Sequence, residues 1–183
     1  NNCRASRVKH ISQALGKFLT HTDAGLDPLI EEANAQDLVV SNDCLYVWSS
    51  RAGYDGAKST NATRASHGVE FDELSADEVL KLEPNLQQPI HRGLNFKGAR
   101  HITSPQELVS RMQKRFEELG GTYMPNGVES CQPDKDGVTA VLNDGTEIRG
   151  GRLALTAGAR SRQIKGTGAE NLPLGTERGY HIL

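Results

Sequence analysis

The chain has 183 residues, 36% of them hydrophobic and 24% charged, with a formal net charge of −2. That length supports one domain with a real core, or one and a half, in an ordinary water-exposed composition. The charge balance speaks against a nucleic-acid partner, and no apolar run reaches the roughly 18 residues that a membrane-crossing helix needs.

The three cysteines, Cys3, Cys44 and Cys131, are far apart and odd in number. They form neither a disulfide framework nor a zinc spacing, so a reduced, cytoplasmic chain is the plain inference. Asn61-Ala62-Thr63 matches a glycosylation sequon, which a cytoplasmic chain leaves unused. Asn1-Asn2-Cys3-Arg4 holds no Met and no apolar signal region, and reads as a truncated or processed start.

In chain order, Arg4 to Leu19 is a helix candidate with Val8, Ile11, Leu15, Phe18 and Leu19 on one face. Asp23 or Thr22 is placed to cap a second helix from Ala24 to about Asn34, with Pro28 in its first turn. Leu38 to Val40 leads into Leu45-Tyr46-Val47-Trp48, an aromatic and β-branched run typical of a strand. Arg51 to His67 is polar and Ala-rich and reads as a weak helix, and Val69 to Phe71 as a short strand. Ser75-Ala76-Asp77-Glu78 is a capping box, and Pro84 ends the helix it opens. Gly93 to Phe96 reads as a strand, with a turn at Gly98. Ser104-Pro105-Gln106-Glu107 is a second capping box. The long helix it opens runs through Leu108, Val109, Met112, Phe116 and Leu119 and stops at Gly120-Gly121.

Thr122 to Met124 is expected as a short strand, and Gly127 to Cys131 as the start of a meander turned at Asp134-Lys135-Asp136-Gly137. The second strand begins at Val138. Asn143-Asp144-Gly145 is a tight-turn signal, and Thr146 to Arg149 returns. Leu153-Ala154-Leu155-Thr156 then runs nearly all apolar and stops at Ala157-Gly158-Ala159. An apolar run ending in glycine is the pattern of a buried parallel strand whose end lies against a ligand. Beyond Ala159 the chain reads as loop to Gly175, and Tyr180 to Leu183 as one more strand.

The six histidines, His10, His21, His67, His91, His101 and His181, show no metal-ligand spacing, and no metal site is expected. There is no Gly-x-Ser-x-Gly, phosphate loop or HExxH. Glu31-Glu32 and Glu117-Glu118 read as solvated helix faces. Gly166-Thr167-Gly168 lacks the third glycine of a dinucleotide fingerprint and is read as a turn. From these residues alone, a plain α+β domain with a β-meander, acting as a non-enzymatic binding or interaction module, stands as the alternative to an enzyme.

Several motifs in this order resemble the FAD-dependent oxidoreductases of the D-amino-acid oxidase and dehydrogenase type, which include glycine and sarcosine oxidases. They are Leu80 to Leu86 (LKLEPNL), His101-Ile102-Thr103-Ser104-Pro105, Glu118-Leu119-Gly120-Gly121, Asp144-Gly145-Thr146-Glu147-Ile148, Leu155 to Ser161 (LTAGARS), and Pro173-Leu174 with Glu177 to His181 (ERGYH). The match covers roughly Cys44 to the end. The resemblance implies a mixed α+β and α/β architecture, with part of an FAD-binding Rossmann-like domain carrying a β-meander and part of an antiparallel-sheet substrate domain. Residues 1–103 would lie mainly on the substrate side, residues 104–165 would be the second part of the FAD domain, and residues 166–183 would cross back. A GxGxxG loop would precede residue 1, so the chain is expected to be an internal fragment, inactive alone.

The implied cofactor is FAD. By position, Val128 would hold the adenine with its backbone, and Ala157 and Gly158 would sit near the pyrophosphate and ribose. Relatives often carry an aromatic where Arg160 stands, and Arg160 has no assigned role. The implied chemistry is hydride transfer from the carbon bearing an amine to the flavin, on a small-molecule amino acid or amine. No catalytic residue is named. Tyr180 and His181 are open between flavin, substrate and core roles. The implied location is cytoplasmic, with the full-length protein either free or peripheral to the inner membrane. Copies of the chain are expected to associate through the edge at Leu153 to Leu155.

Overall fold

The computed structural model describes residues 5–87, 89–176 and 179. The expected strand at Tyr180 to Leu183 lies outside the described residues. The chain divides into two compact units, Asn1–Thr122 and Tyr123–Leu183.

The first unit holds five α-helices and five strands among its described residues. Helices α1 (Ala5–Leu19) and α2 (Thr22–Glu32) come first. Because α2 begins at Thr22, Pro28 lies inside it rather than in its first turn, and His21 precedes the helix without a side-chain cap. At the other end Asn34 takes a left-handed φ of 50°. Its N–H donates to Glu31 O and the Ala35 N–H donates to Ile30 O, both at 2.9 Å. This paired closure satisfies two end carbonyls and folds Ala35 back onto Ile30, both of which are buried.

Strand β1 (Val39–Ser41) pairs antiparallel with β5 (Arg100–Ile102). The second sheet is built from β2 (Cys44–Trp48), β3 (Phe71–Leu74) and β4 (Arg92–Phe96), in the order β2-β4-β3, all antiparallel. The strand expected at Val69 to Phe71 thus lies two residues later, where Phe71 pairs with Phe96. Central β4 presents alternate residues to opposite faces. Leu94 and Phe96 face helix α3 (Arg51–Ser66), where they form a core with Tyr54, flanked by Trp48 and Phe71. The Arg64 guanidinium lies over the Tyr46 and Phe96 rings, 5.3 and 5.2 Å from their centroids, and donates to the buried Asn61. On the opposite face Gly93 meets α4 (Ala76–Leu82). A Cβ on Gly93 would stand 2.5 Å from Val79 Cγ2, so the close approach of helix and strand depends on a residue with no side chain.

Both bonds of the Ser75/Glu78 capping box are present. At α5 (Pro105–Glu118) only half the expected box forms. Ser104 Oγ accepts from the Glu107 N–H, while the Glu107 carboxylate turns to Arg111 at 2.9 Å. Arg111 also donates to Asp37 at 2.6 Å and to Asn34 O at 2.8 Å, and Arg115 holds Glu32 and Glu118. Glu32 and Glu118 are therefore ion-pair partners rather than simply solvated. Beneath these pairs Leu108 and Met112 pack on Ile30, Ala33, Ala35 and Leu38.

The second unit is an antiparallel meander of β6 (Val128–Asp134), β7 (Gly137–Leu142) and β8 (Glu147–Gly150). Thr122 to Met124 forms no strand. Neither does Leu153 to Thr156, where a buried parallel strand was expected. A strand exists only against a hydrogen-bonded neighbour, and among the described residues none lies beside this segment. Leu153 is exposed and Leu155 half-buried along a groove of about 340 Å³ that also touches Cys131, Pro133 and Val138. Burial pushes the Cys131 thiol up.

Candidate functional site

The second unit contains all three residues expected to meet a dinucleotide. Val128 opens β6 opposite Leu142. The Asn143 N–H donates to Gly127 O at 2.9 Å. In an antiparallel pair that bond brackets a position at which the two facing residues do not bond each other. Val128 therefore turns its own N–H and C=O away from β7, toward the outer edge of the meander. A register shift between Val128 and Ser130 marks a bulge at Glu129. Lys165 closes the edge just beyond it, donating to Glu129 O at 3.1 Å and accepting from the Cys131 N–H at 2.8 Å. Val128 sits immediately before that closure. The preceding loop is fixed to the hairpin turn: Asn126 Nδ2 donates to Asp144 Oδ2 at 2.8 Å, and Asp144 Oδ1 accepts from the Thr146 N–H at 2.9 Å.

Ala157 and Gly158 lie at the start of a 3-10 turn, Gly158–Gln163, that leads to Lys165. Both are exposed. Gly158 has a φ of 56°, in the left-handed region, and a Cβ there would meet nothing within 4 Å. Its requirement for glycine is thus the backbone shape, and the space beside it is open. Arg160 is exposed and makes no ion pair among the described residues, whereas Arg162 donates to Leu174 O at 2.9 Å. The 3-10 turn and the Lys165 bridge anchor the Gly158 end to the same edge of β6 that Val128 opens.

These residues fit the adenine end of an FAD. A free strand edge offers one backbone donor and one acceptor, and a small-residue corner lets a bulky group come close. The Gly166 to Gly168 turn gives the phosphates no cradle. Gly166 and Gly168 have φ of 79° and 77°, but the Gly166 N–H already donates to Glu170 Oε1 at 2.6 Å. Backbone N–H groups of Glu170, Gly166 and Gly168 hold that carboxylate below its ordinary range. The chain's own glutamate already takes the Gly166 N–H, and only a three-residue 3-10 turn, Ala169–Asn171, follows. The segment is a turn, as its missing third glycine suggests.

Among the described residues no His/Cys/Asp/Glu cluster could hold a metal ion, and no helix is long and apolar enough to cross a membrane. Tyr180 and His181 lie outside the described residues.

Residues 9–183 match the profile of the family described as FAD dependent oxidoreductase. The chain belongs to this family, whose cofactor is FAD, and the match decides for the oxidoreductase over a non-enzymatic α+β module. A D-amino-acid oxidase of Bradyrhizobium diazoefficiens is 28% identical over 97% of this chain and 42% of its own length. Glycine oxidase from Geobacillus kaustophilus shares the fold with a TM-score of 0.66 at 16% identity, over 79% of this chain and 39% of that one. Iminodiacetate oxidase from Chelativorans sp. BNC1 gives 0.58 at 21% identity, over 85% of this chain and 42% of that one. The chain thus spans about two fifths of the length of these relatives. The mixed α/β fold with antiparallel sheets agrees with the expected class.

Proposed function

We propose that this chain is part of a flavoenzyme that oxidises the C–N bond of an amino acid or related small amine. The family match over residues 9–183 carries the reading. The similarity to a D-amino-acid oxidase supports the substrate class. FAD, when bound, accepts the hydride from the carbon bearing the amine. The chain's own part is positioning. The Val128 N–H and C=O would hydrogen-bond the adenine edge, and Ala157 and Gly158 would let the ribose and pyrophosphate pass close to the backbone. Residues 1–103 would serve mainly the substrate side, residues 104–165 the flavin domain, and residues 166–183 the return between them. A cytoplasmic setting suits the unpaired cysteines Cys44 and Cys131.

The test is anaerobic mixing of the FAD-loaded whole protein with D-amino acids, glycine, sarcosine and, as a control, 2-hydroxy acids. An amino acid or amine should bleach the flavin's visible absorption. Bleaching by hydroxy acids alone would contradict the substrate class.

Copies of these 183 residues should also associate, because residues 152–157 have no strand partner among the described residues. Light scattering should show the mass rising with concentration, and a constant monomer mass would contradict this.

A further inference from the structure

The direction of the Val128 N–H is decided one residue earlier. Gly127 C=O and Val128 N–H share one peptide plane, so the Asn143 bond that holds the carbonyl inward turns the N–H outward. That is a single bond to a glycine, which resists backbone rotation least of all residues. The chain before it, Thr122 to Pro125, forms no helix or strand. Among the described residues one other hydrogen bond ties this loop to the β7–β8 turn: Asn126 Nδ2 donates to Asp144 Oδ2 at 2.8 Å. The turn itself is closed by its own bonds. The Gly145 N–H donates to Leu142 O at 3.0 Å, the Leu142 N–H to Thr146 O at 2.9 Å, and the Thr146 N–H to Asp144 Oδ1 at 2.9 Å. Thr146, through its N–H first and then its hydroxyl, holds the Asp144 carboxyl below its ordinary range, so the acceptor facing Asn126 is charged at neutral pH.

We propose that Asn126 is a positioning residue for FAD: its bond to Asp144 steadies the Gly127–Val128 peptide plane and so sets the direction in which Val128 presents its N–H. The proposal rests on the reading that this edge of β6 meets the adenine. A plane held at the Gly127 carbonyl alone can rock about that bond. Held at Asn126 as well, it has two points of attachment to a closed turn. The rocking matters because a hydrogen bond weakens steeply as its angle leaves the straight line. On the far side of Val128 the backbone is already fixed, by the bulge at Glu129 and the two Lys165 bonds. The near side depends on Asn126. Its side chain acts through Val128, and its described bond goes to the turn.

The test titrates FAD into the whole protein carrying Asn126→Asp, Asp144→Asn or both, with folding checked by circular dichroism. Asn126→Asp sets a carboxylate against the Asp144 carboxylate and should weaken FAD about threefold, less than outright loss of the Val128 donor would. Asp144→Asn should weaken it to a similar degree, because an amide has one acceptor oxygen where the carboxylate uses two. With both changes the introduced amide can donate to the introduced carboxylate while its oxygen still accepts from Thr146, and parental affinity should return. Parental affinity in Asn126→Asp, or a double variant no tighter than Asn126→Asp, overturns the inference. Should Asn126→Asp lose its native spectrum, Asn126→Ala carries the same threefold expectation in its place. A second readout separates aim from stability. In a Val128→Pro background, Asn126→Asp should weaken FAD clearly less than it does alone, since the donor it aims is gone. Fully additive losses would show that Asn126 serves only the stability of the meander, and would overturn the inference. Unchanged affinity in Val128→Pro itself would fail the reading of the edge, and this inference with it. A weakened Val128→Pro beside an unchanged Asn126→Asp would fail this inference alone.

Discussion

Asp134 sets a pH dependence that its neighbours explain. It closes the β6–β7 turn, accepting from Arg149 at 2.7 and 3.0 Å and from the Asp136 N–H at 2.8 Å. Arg149 foremost holds its carboxyl down to about 2 from an ordinary 3.8. A carboxyl whose folded pKa is depressed stabilises the fold above its unfolded pKa and loses that effect as pH falls through the folded value. The contribution is therefore full at neutral pH and disappears between about pH 4 and 2. Urea unfolding should find Asp134→Asn less stable than the parent at pH 6, with the deficit shrinking below about pH 4. A deficit that does not change with pH would show that the charge on Asp134 does not matter. The pair is half-exposed, so the effect should be small and weaken with salt.

At the scale of elements, the contact between β4 and α4 is the most sharply constrained. Gly93→Ala drives a methyl into Val79, which is fully buried, and should cost about 1–3 kcal/mol in urea unfolding. Val79→Ala in the same chain should restore part of that loss, since it removes the atom in the way. Independent, additive losses would contradict the packing. Local chemistry made many elements legible in the sequence. Ser75 with Glu78, Ser104 with Pro105, and the Asp144-Gly145 turn each announce a boundary through bonds made within a few residues. Sequence and structure part where distant partners decide. Glu107 answers Arg111 instead of its own cap, and Leu153 to Thr156 has the composition of a strand but no described neighbour to pair with. The end of α2 near Asn34 was read, but its left-handed closure was not, because any residue tolerant of that geometry can make it and glycine is the one that sequence reading looks for.

At the scale of the whole molecule, the family was legible from the order of many weak motifs, while the proposed cofactor contact would rest on backbone. Val128 contributes no distinctive side chain. Only the strand register, set by the Gly127 to Asn143 bond, shows which way its N–H points. The grip on the phosphates is not legible because Gly166 to Gly168 serve Glu170. The most direct measurement titrates FAD into the whole protein carrying Val128→Pro or Gly158→Val. Proline at 128 deletes a donor that β7 does not use, and should weaken FAD about fivefold with the fold intact by circular dichroism. Valine at 158 must adopt a φ of 56° and fill the open corner, and should weaken FAD at least about tenfold. Parental FAD affinity in both variants would contradict the placement of the dinucleotide on this edge.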